Sequence, residues 1–160
     1  MISFLATEAP AAATEGGFFA DTAGIMLVLP FLAFFLILIF GKNLKHQGGE
    51  IAVGALAINL IWATALWISN MVSPVVTETT FEIGRLGSNM VFELGWVVDG
   101  LAVMMYFLIN AIGLAVFIYA LGYMHGDRRV PWFFAAFSLF AGAMLVLVSA
   151  PNLIQLIIGW

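Results

Sequence analysis

The sequence predicts an all-α integral membrane protein, a polytopic transmembrane helix bundle with at least four spans. Of its 160 residues, 64% are hydrophobic and 9% are charged, whereas a soluble domain averages about 45 to 50% apolar and about 25% charged residues. The mean hydropathy is +1.12, and the apolar residues form runs long enough to cross the roughly 30 Å hydrocarbon core of a bilayer. Lipid is therefore the predicted solvent for most of the chain.

The remaining composition excludes several classes of function. The formal net charge of -4 is small and scattered, so it indicates neither an acidic tail nor a nucleic-acid partner. The chain has no cysteine, which excludes disulfides, thiolate metal sites and cysteine nucleophiles. It also lacks a phosphate-binding glycine loop, a catalytic triad and paired carboxylates. We therefore expect no catalytic, cofactor-binding or metal-binding residue in this chain.

The first half of the chain predicts an external segment and two helices. Residues 1–22 lack the basic region and long apolar core of a signal peptide, and we expect them on the non-cytoplasmic side. Residues 23–40 form the first apolar run, in which Pro30 removes one backbone hydrogen bond and is expected to kink the helix. Residues 51–72 form the second helix, which ends at a Ser-Pro pair.

The second half predicts a loop and two more complete helices. Residues 73–96 mix charged, threonine and alternating apolar residues, which is typical of an extramembrane, hairpin-like loop. Residues 97–121 and 132–149 are the third and fourth helices, so the transmembrane bundle covers 23–160. A fifth helix begins at 152–160 but rises only about 13 Å, which would leave its last carbonyls unsatisfied in hydrocarbon. We therefore expect the chain to continue beyond Trp160.

Basic residues predict the orientation. Lys42 and Lys45 follow the first helix, Arg128 and Arg129 follow the third, and the loop after the second holds only Arg85. Because loops rich in lysine and arginine stay in the cytoplasm, the N-terminus is predicted on the non-cytoplasmic side.

Asp99 is the acid closest to a predicted span, about three residues beyond an interfacial tryptophan. An ionisable group within a membrane is a functional hypothesis by default, because charge is costly there. A carboxylate at the start of a helix is also favoured as a cap. Asp99 is therefore interpreted either as the cap of the third helix or as a residue for proton access or subunit contact.

Four other polar residues are candidates for a proton path or a structural role. His125 and Asp127 lie in the short polar loop after the third helix, where the histidine either relays protons or is an ordinary solvated loop residue. Asn152 and Gln155 lie in the fifth helix. With Asn59, Asn110 and Ser138, they are expected to form hydrogen bonds between helices rather than to line a pathway.

Four blocks in the second half carry a resemblance to a known family. They are VDGL at 98–101, IYALGYM at 118–124, FFA at 133–135 and MLVLV at 144–148, the last running through Asn152-Leu153 to Gly159-Trp160. In this order and spacing they resemble the largest antiporter-like subunit of proton-pumping NADH:quinone oxidoreductase, which is subunit L of bacterial complex I and subunit 5 of the mitochondrial enzyme. In that family a glutamate follows the Gly-Trp pair, and lysines on later helices pass protons.

The resemblance implies that this chain is the N-terminal part of a larger antiporter-like fold, in a proton-translocating, non-redox subunit of a translocase without a bond-making site of its own. It also implies a bacterial inner membrane as the location, with the mitochondrial inner membrane as the alternative. NADH, FMN, iron-sulfur clusters and quinone would bind partner subunits, and this chain would contact other membrane-arm subunits, lipid and protons. The chain has Phe117 and Trp132 where the family often has histidine and arginine. In cation/proton antiporters of the Mrp type and in membrane-bound hydrogenases, the residues at these two positions vary more. Subunits of those complexes therefore remain the alternative. A membrane scaffold or assembly protein is the second alternative.

Overall fold

A computed structural model describes residues 22–41, 44, 48–72, 76–86, 90–127 and 129–160. The predicted N-terminal segment before Thr22 lies outside these residues, as do Lys42, Lys45 and Arg128, on which the predicted orientation depends. The elements are α1 (Ala23–Phe40), α2 (Gly49–Val72), β1 (Thr77–Leu86), β2 (Met90–Val98), α3 (Gly100–Tyr123), α4 (Val130–Val148) and α5 (Leu153–Gly159).

Helices α1 to α4 are long and apolar enough to cross a membrane. The longest, α2 and α3, have 24 residues each, a rise of about 36 Å that exceeds the hydrocarbon thickness. The described residues therefore have the predicted polytopic helical architecture. Helix α3 begins at Gly100 and not at residue 97, because Val97 and Val98 still pair with β1.

The predicted hairpin-like segment contains a two-stranded antiparallel sheet. Thr77 lies opposite Val98, and Leu86 lies opposite Met90 near the turn. An irregularity between Glu82 and Gly84 interrupts the register, as an extra residue in one strand does. The hairpin returns the chain to the same end of the bundle, where α2 ends and α3 begins.

The bundle has two apolar clusters along its length. The cluster at the hairpin end joins α1, α2, α3 and α4 with Val98 of the hairpin, and Tyr106 is among its largest buried side chains. The other cluster contains Ile37, Phe117 and Phe134. Large apolar side chains also face outward, such as Ile61, which is 70% exposed. A soluble surface rarely carries so many, whereas lipid solvates them.

Pro30 and Asn59 form a complementary pair between α1 and α2. Proline has no amide hydrogen, so the carbonyl four residues before it loses its helical donor. That residue is Met26, and its carbonyl accepts a hydrogen bond from Asn59 Nδ2 at 2.9 Å. Asn59 is only 2% exposed. The predicted interhelical hydrogen bond is therefore confirmed for Asn59.

Candidate functional site

Asp99 lies between the hairpin and α3, with its backbone extended at φ -118° and ψ 175°. Its Oδ1 accepts a hydrogen bond from the Ala102 backbone N–H at 2.6 Å. The first four N–H groups of a helix have no partner within the helix, and a side-chain oxygen at this position satisfies one of them. The predicted helix cap is therefore confirmed for Asp99, and its role in proton access or subunit contact stays a prediction.

An open pocket of about 510 Å³ lies in front of Asp99. Glu78 of β1 and Val97 of β2 line it on the hairpin side, and Ala150 and Pro151 line it at the corner between α4 and α5. No basic residue is found among the described residues that line it. Two carboxyl groups without a basic neighbour favour cations, protons and water over anions.

Buried polar groups continue along α3 from this pocket. Asp99, Tyr106 and Asn110 are seven and then four residues apart, a spacing that places them on one face of a helix. Tyr106 and Asn110 are each 1% exposed. The Tyr106 hydroxyl faces Ser149 without a hydrogen bond of standard geometry. We call Asp99, Tyr106 and Asn110 the polar stripe of α3.

Tyr106 was not among the candidate site residues predicted from the sequence. Its position seven residues after Asp99 could have indicated it, because that spacing places both residues on one helix face. The predicted interhelical bond of Asn110 is wrong, since its Nδ2 donates to the Tyr106 carbonyl of the same helix at 2.8 Å. Ser138 Oγ is buried and has no hydrogen-bond partner among the described residues. Such groups are stable inside a bundle when water or another polar group reaches them.

Asn152 and Gln155 connect the short helix α5 to the same end of the bundle. Asn152 Oδ1 accepts a hydrogen bond from the Gln155 N–H at 2.8 Å and so caps α5. The Gln155 amide bonds both backbone groups of Gly95 in β2. Its Oε1 accepts from the Gly95 N–H at 2.9 Å, and its Nε2 donates to the Gly95 carbonyl at 2.7 Å. Gln155 therefore bonds the hairpin and not another helix.

His125 and Asp127 lie at the opposite end of α3, about 36 Å of helix away from Asp99. Both are exposed. Asp127 Oδ1 accepts a hydrogen bond from the Arg129 N–H at 2.8 Å, which stabilises the turn before α4. The structure therefore separates these two residues from Asp99, Asn152 and Gln155. In the described part of the chain, no group of three or more His, Cys, Asp or Glu residues could hold a metal ion.

Comparison with known proteins gives one family match and many relatives. Residues 85–134 match the family described as NADH-Ubiquinone oxidoreductase (complex I), chain 5 N-terminus. NAD(P)H-quinone oxidoreductase subunit 5 of Nymphaea alba chloroplasts is 32% identical over 143 residues, which are 83% of this chain and 19% of that protein. NADH-ubiquinone oxidoreductase chain 5 of Metridium senile is 31% identical over 139 residues, 85% of this chain and 23% of that protein.

The chloroplast subunit 5 of Adiantum capillus-veneris is 38% identical over a shorter stretch of 109 residues. That stretch covers 68% of this chain and 15% of the relative. The chain thus spans about a fifth of the length of the curated relatives that it matches.

Proposed function

Because the chain belongs to the complex I chain 5 family over the length that it shares with these relatives, we propose that it is part of a proton-translocating membrane-arm subunit. In this proposal the subunit moves protons while partner subunits, which hold the flavin, iron-sulfur clusters and quinone, oxidise NADH. The chain itself contributes no bond-making site. The proposed location is a bacterial inner membrane, with the mitochondrial inner membrane as the alternative.

The observation that carries the proposal is the acidic pocket at Asp99 together with the polar stripe behind it. An open pocket supplies water to the Asp99 carboxylate, and water allows a carboxylate near a membrane interface to exchange protons. The buried Tyr106 hydroxyl and Asn110 amide lie further along the same helix face. They provide polar groups to which water can bond at a depth where lipid offers none. We therefore assign proton access to Asp99.

The test is Asp99→Asn in the complete protein within its native membrane assembly. Asparagine retains the oxygen that caps α3 but cannot titrate. We expect normal assembly and NADH oxidation, with at least about a tenfold loss in the rate of proton uptake or release, measured with a pH-sensitive dye in sealed vesicles. Pumping at the wild-type rate would reduce Asp99 to a helix cap.

Asp99→Ala is the matched variant, because it removes both the cap and the titrating group. Its extra cost relative to Asn should be about 1 kcal/mol of folding free energy, seen as a lower yield of assembled complex. If vesicles with the wild-type protein moved no protons during NADH oxidation, the proposed function would be wrong.

A further inference from the structure

The outer edge of strand β2 is covered by the corner between α4 and α5. The Val97 N–H donates to the Ser149 carbonyl at 2.9 Å, and two residues earlier both backbone groups of Gly95 bond the Gln155 amide. An edge strand otherwise presents such groups unpaired. The Gln155 side chain thus takes the place of a neighbouring strand at Gly95. We call these three hydrogen bonds the hairpin clamp.

Gln155 is the buried residue of an otherwise exposed helix. It is 4% exposed, whereas Ile154 and Ile157 on the same helix are 44% and 64% exposed. Helix α5 also packs against α4, because a Cβ on Gly159 would lie 3.0 Å from the Leu147 backbone nitrogen. Within the described structure, α5 is therefore joined to α4 by packing at Gly159 and to the hairpin by the hydrogen bonds of Gln155.

On the side that faces β1, Gly95 has no space for a side chain. A side chain at this position would overlap the Thr79 carbonyl of β1. Gly95 is thus held between β1 on one side and the Gln155 amide on the other.

The hairpin clamp also connects two walls of the pocket at Asp99. Val97 of β2 lines the pocket from the hairpin, and Ala150 and Pro151 line it from the corner. The clamp bonds join these same two segments, at Gly95 and Val97 on one side and Ser149 and Gln155 on the other. If the bonds broke, the two walls could separate and the pocket would widen.

We propose that Gln155 is a positioning residue, which holds the hairpin against the α4–α5 corner and thereby fixes the opening of the pocket at Asp99. The role in proton access rests on the proposed function. The clamp itself is a structural claim that can be tested without it.

The test uses Gln155→Met in the complete protein within its membrane assembly. Methionine has a similar length but cannot bond Gly95. The control is Ile157→Met, which places the same side chain on the exposed face of α5. Two quantities are measured, which are hydrogen exchange of the Gly95 amide and the number of protons moved per NADH oxidised.

In Gln155→Met we expect the protection of the Gly95 amide to fall by about tenfold or more. The number of protons per NADH should fall by about half or more, while the NADH oxidation rate and the yield of complex match Ile157→Met. Gln155→Asn should give the same result, because its amide is one methylene too short to reach both groups of Gly95.

Unchanged protection of Gly95 would overturn the clamp. Lost protection of the Gly95 amide with a normal number of protons per NADH would overturn the positioning role. Failure of both Gln155→Met and Gln155→Asn to assemble would also overturn it, because Gln155 would then act only in folding. If the Ile157→Met control moved no protons, the proposed function and the positioning role would both be wrong. The exchange of Gly95 would still report on the clamp.

Discussion

The Pro30–Asn59 pair shows how one residue compensates for the backbone defect of another. Pro30 leaves the Met26 carbonyl without its helical donor, and Asn59 of the adjacent helix supplies one. In a bilayer an unsatisfied carbonyl is costly, because lipid cannot donate a hydrogen bond. The polar side chain of Asn59 is thus stable within an apolar helix, because Pro30 leaves the Met26 carbonyl available to accept its hydrogen bond.

We therefore expect Asn59→Leu to lower the free energy of unfolding in micelles by about 1 to 2 kcal/mol. In a Pro30→Ala background the loss should be smaller by at least about half, since residue 30 then supplies its own N–H to Met26. A double-mutant cycle monitored by detergent-induced unfolding measures the difference.

Thr64→Val is the control for this cycle, because the Thr64 hydroxyl bonds the Leu60 carbonyl within α2 itself. Its cost should stay below about 0.5 kcal/mol and should not depend on residue 30. Equal costs of Asn59→Leu in both backgrounds would show that Asn59 does not compensate for Pro30.

At the scale of elements, α1 and α4 approach closely where α4 has a glycine. A Cβ built on Gly142 would lie 3.0 to 3.2 Å from ring atoms of Phe31. Small residues at helix interfaces let backbones approach within a membrane, where packing and not the hydrophobic effect drives association. Gly142 thus makes room for the Phe31 ring.

Gly142→Leu should therefore disrupt the α1–α4 interface and cost about 2 kcal/mol or more, seen as a loss of folded protein in detergent-induced unfolding. Gly54→Leu is the matched control, because nothing lies within 4 Å of a Cβ at Gly54. Its effect should be close to zero or slightly stabilising, since leucine favours the helix more than glycine does. If Gly142→Leu and Gly54→Leu changed the free energy of unfolding equally, close packing against Phe31 would not explain why residue 142 is glycine.

At the scale of the whole molecule, the two ends of α3 must lie on opposite sides of the membrane. The helix is long enough to cross, with the hairpin at its start and the turn containing His125 and Arg129 at its end. Basic residues are concentrated at the latter end, so we predict that end in the cytoplasm and the hairpin outside.

Single cysteines can be placed at the exposed positions Glu78 and Arg129, because the sequence contains no other cysteine. In sealed right-side-out vesicles, a membrane-impermeant thiol reagent should label position 78 and leave position 129 unlabelled until the membrane is permeabilised. Labelling of position 129 alone would reverse the predicted orientation.

The sequence by itself determined the membrane class, the four spans and the presence of a hairpin, because long apolar runs and alternating residues report directly on the solvent that each segment meets. It also identified Asp99 as a cap candidate, since capping is local and needs only the residues that follow. The same locality explains why Asn152 could be placed near the start of the fifth helix.

Only the tertiary structure decided which polar groups meet. Gln155 and Gly95 are 60 residues apart, and nothing in the sequence near either one indicates the other. The same holds for Asn59 and the Met26 carbonyl, 33 residues apart, and for the Tyr106 hydroxyl of α3, which faces Ser149 at the end of α4. Hydrogen bonds of this kind depend on how helices and hairpin pack, which a pattern of local residues does not encode.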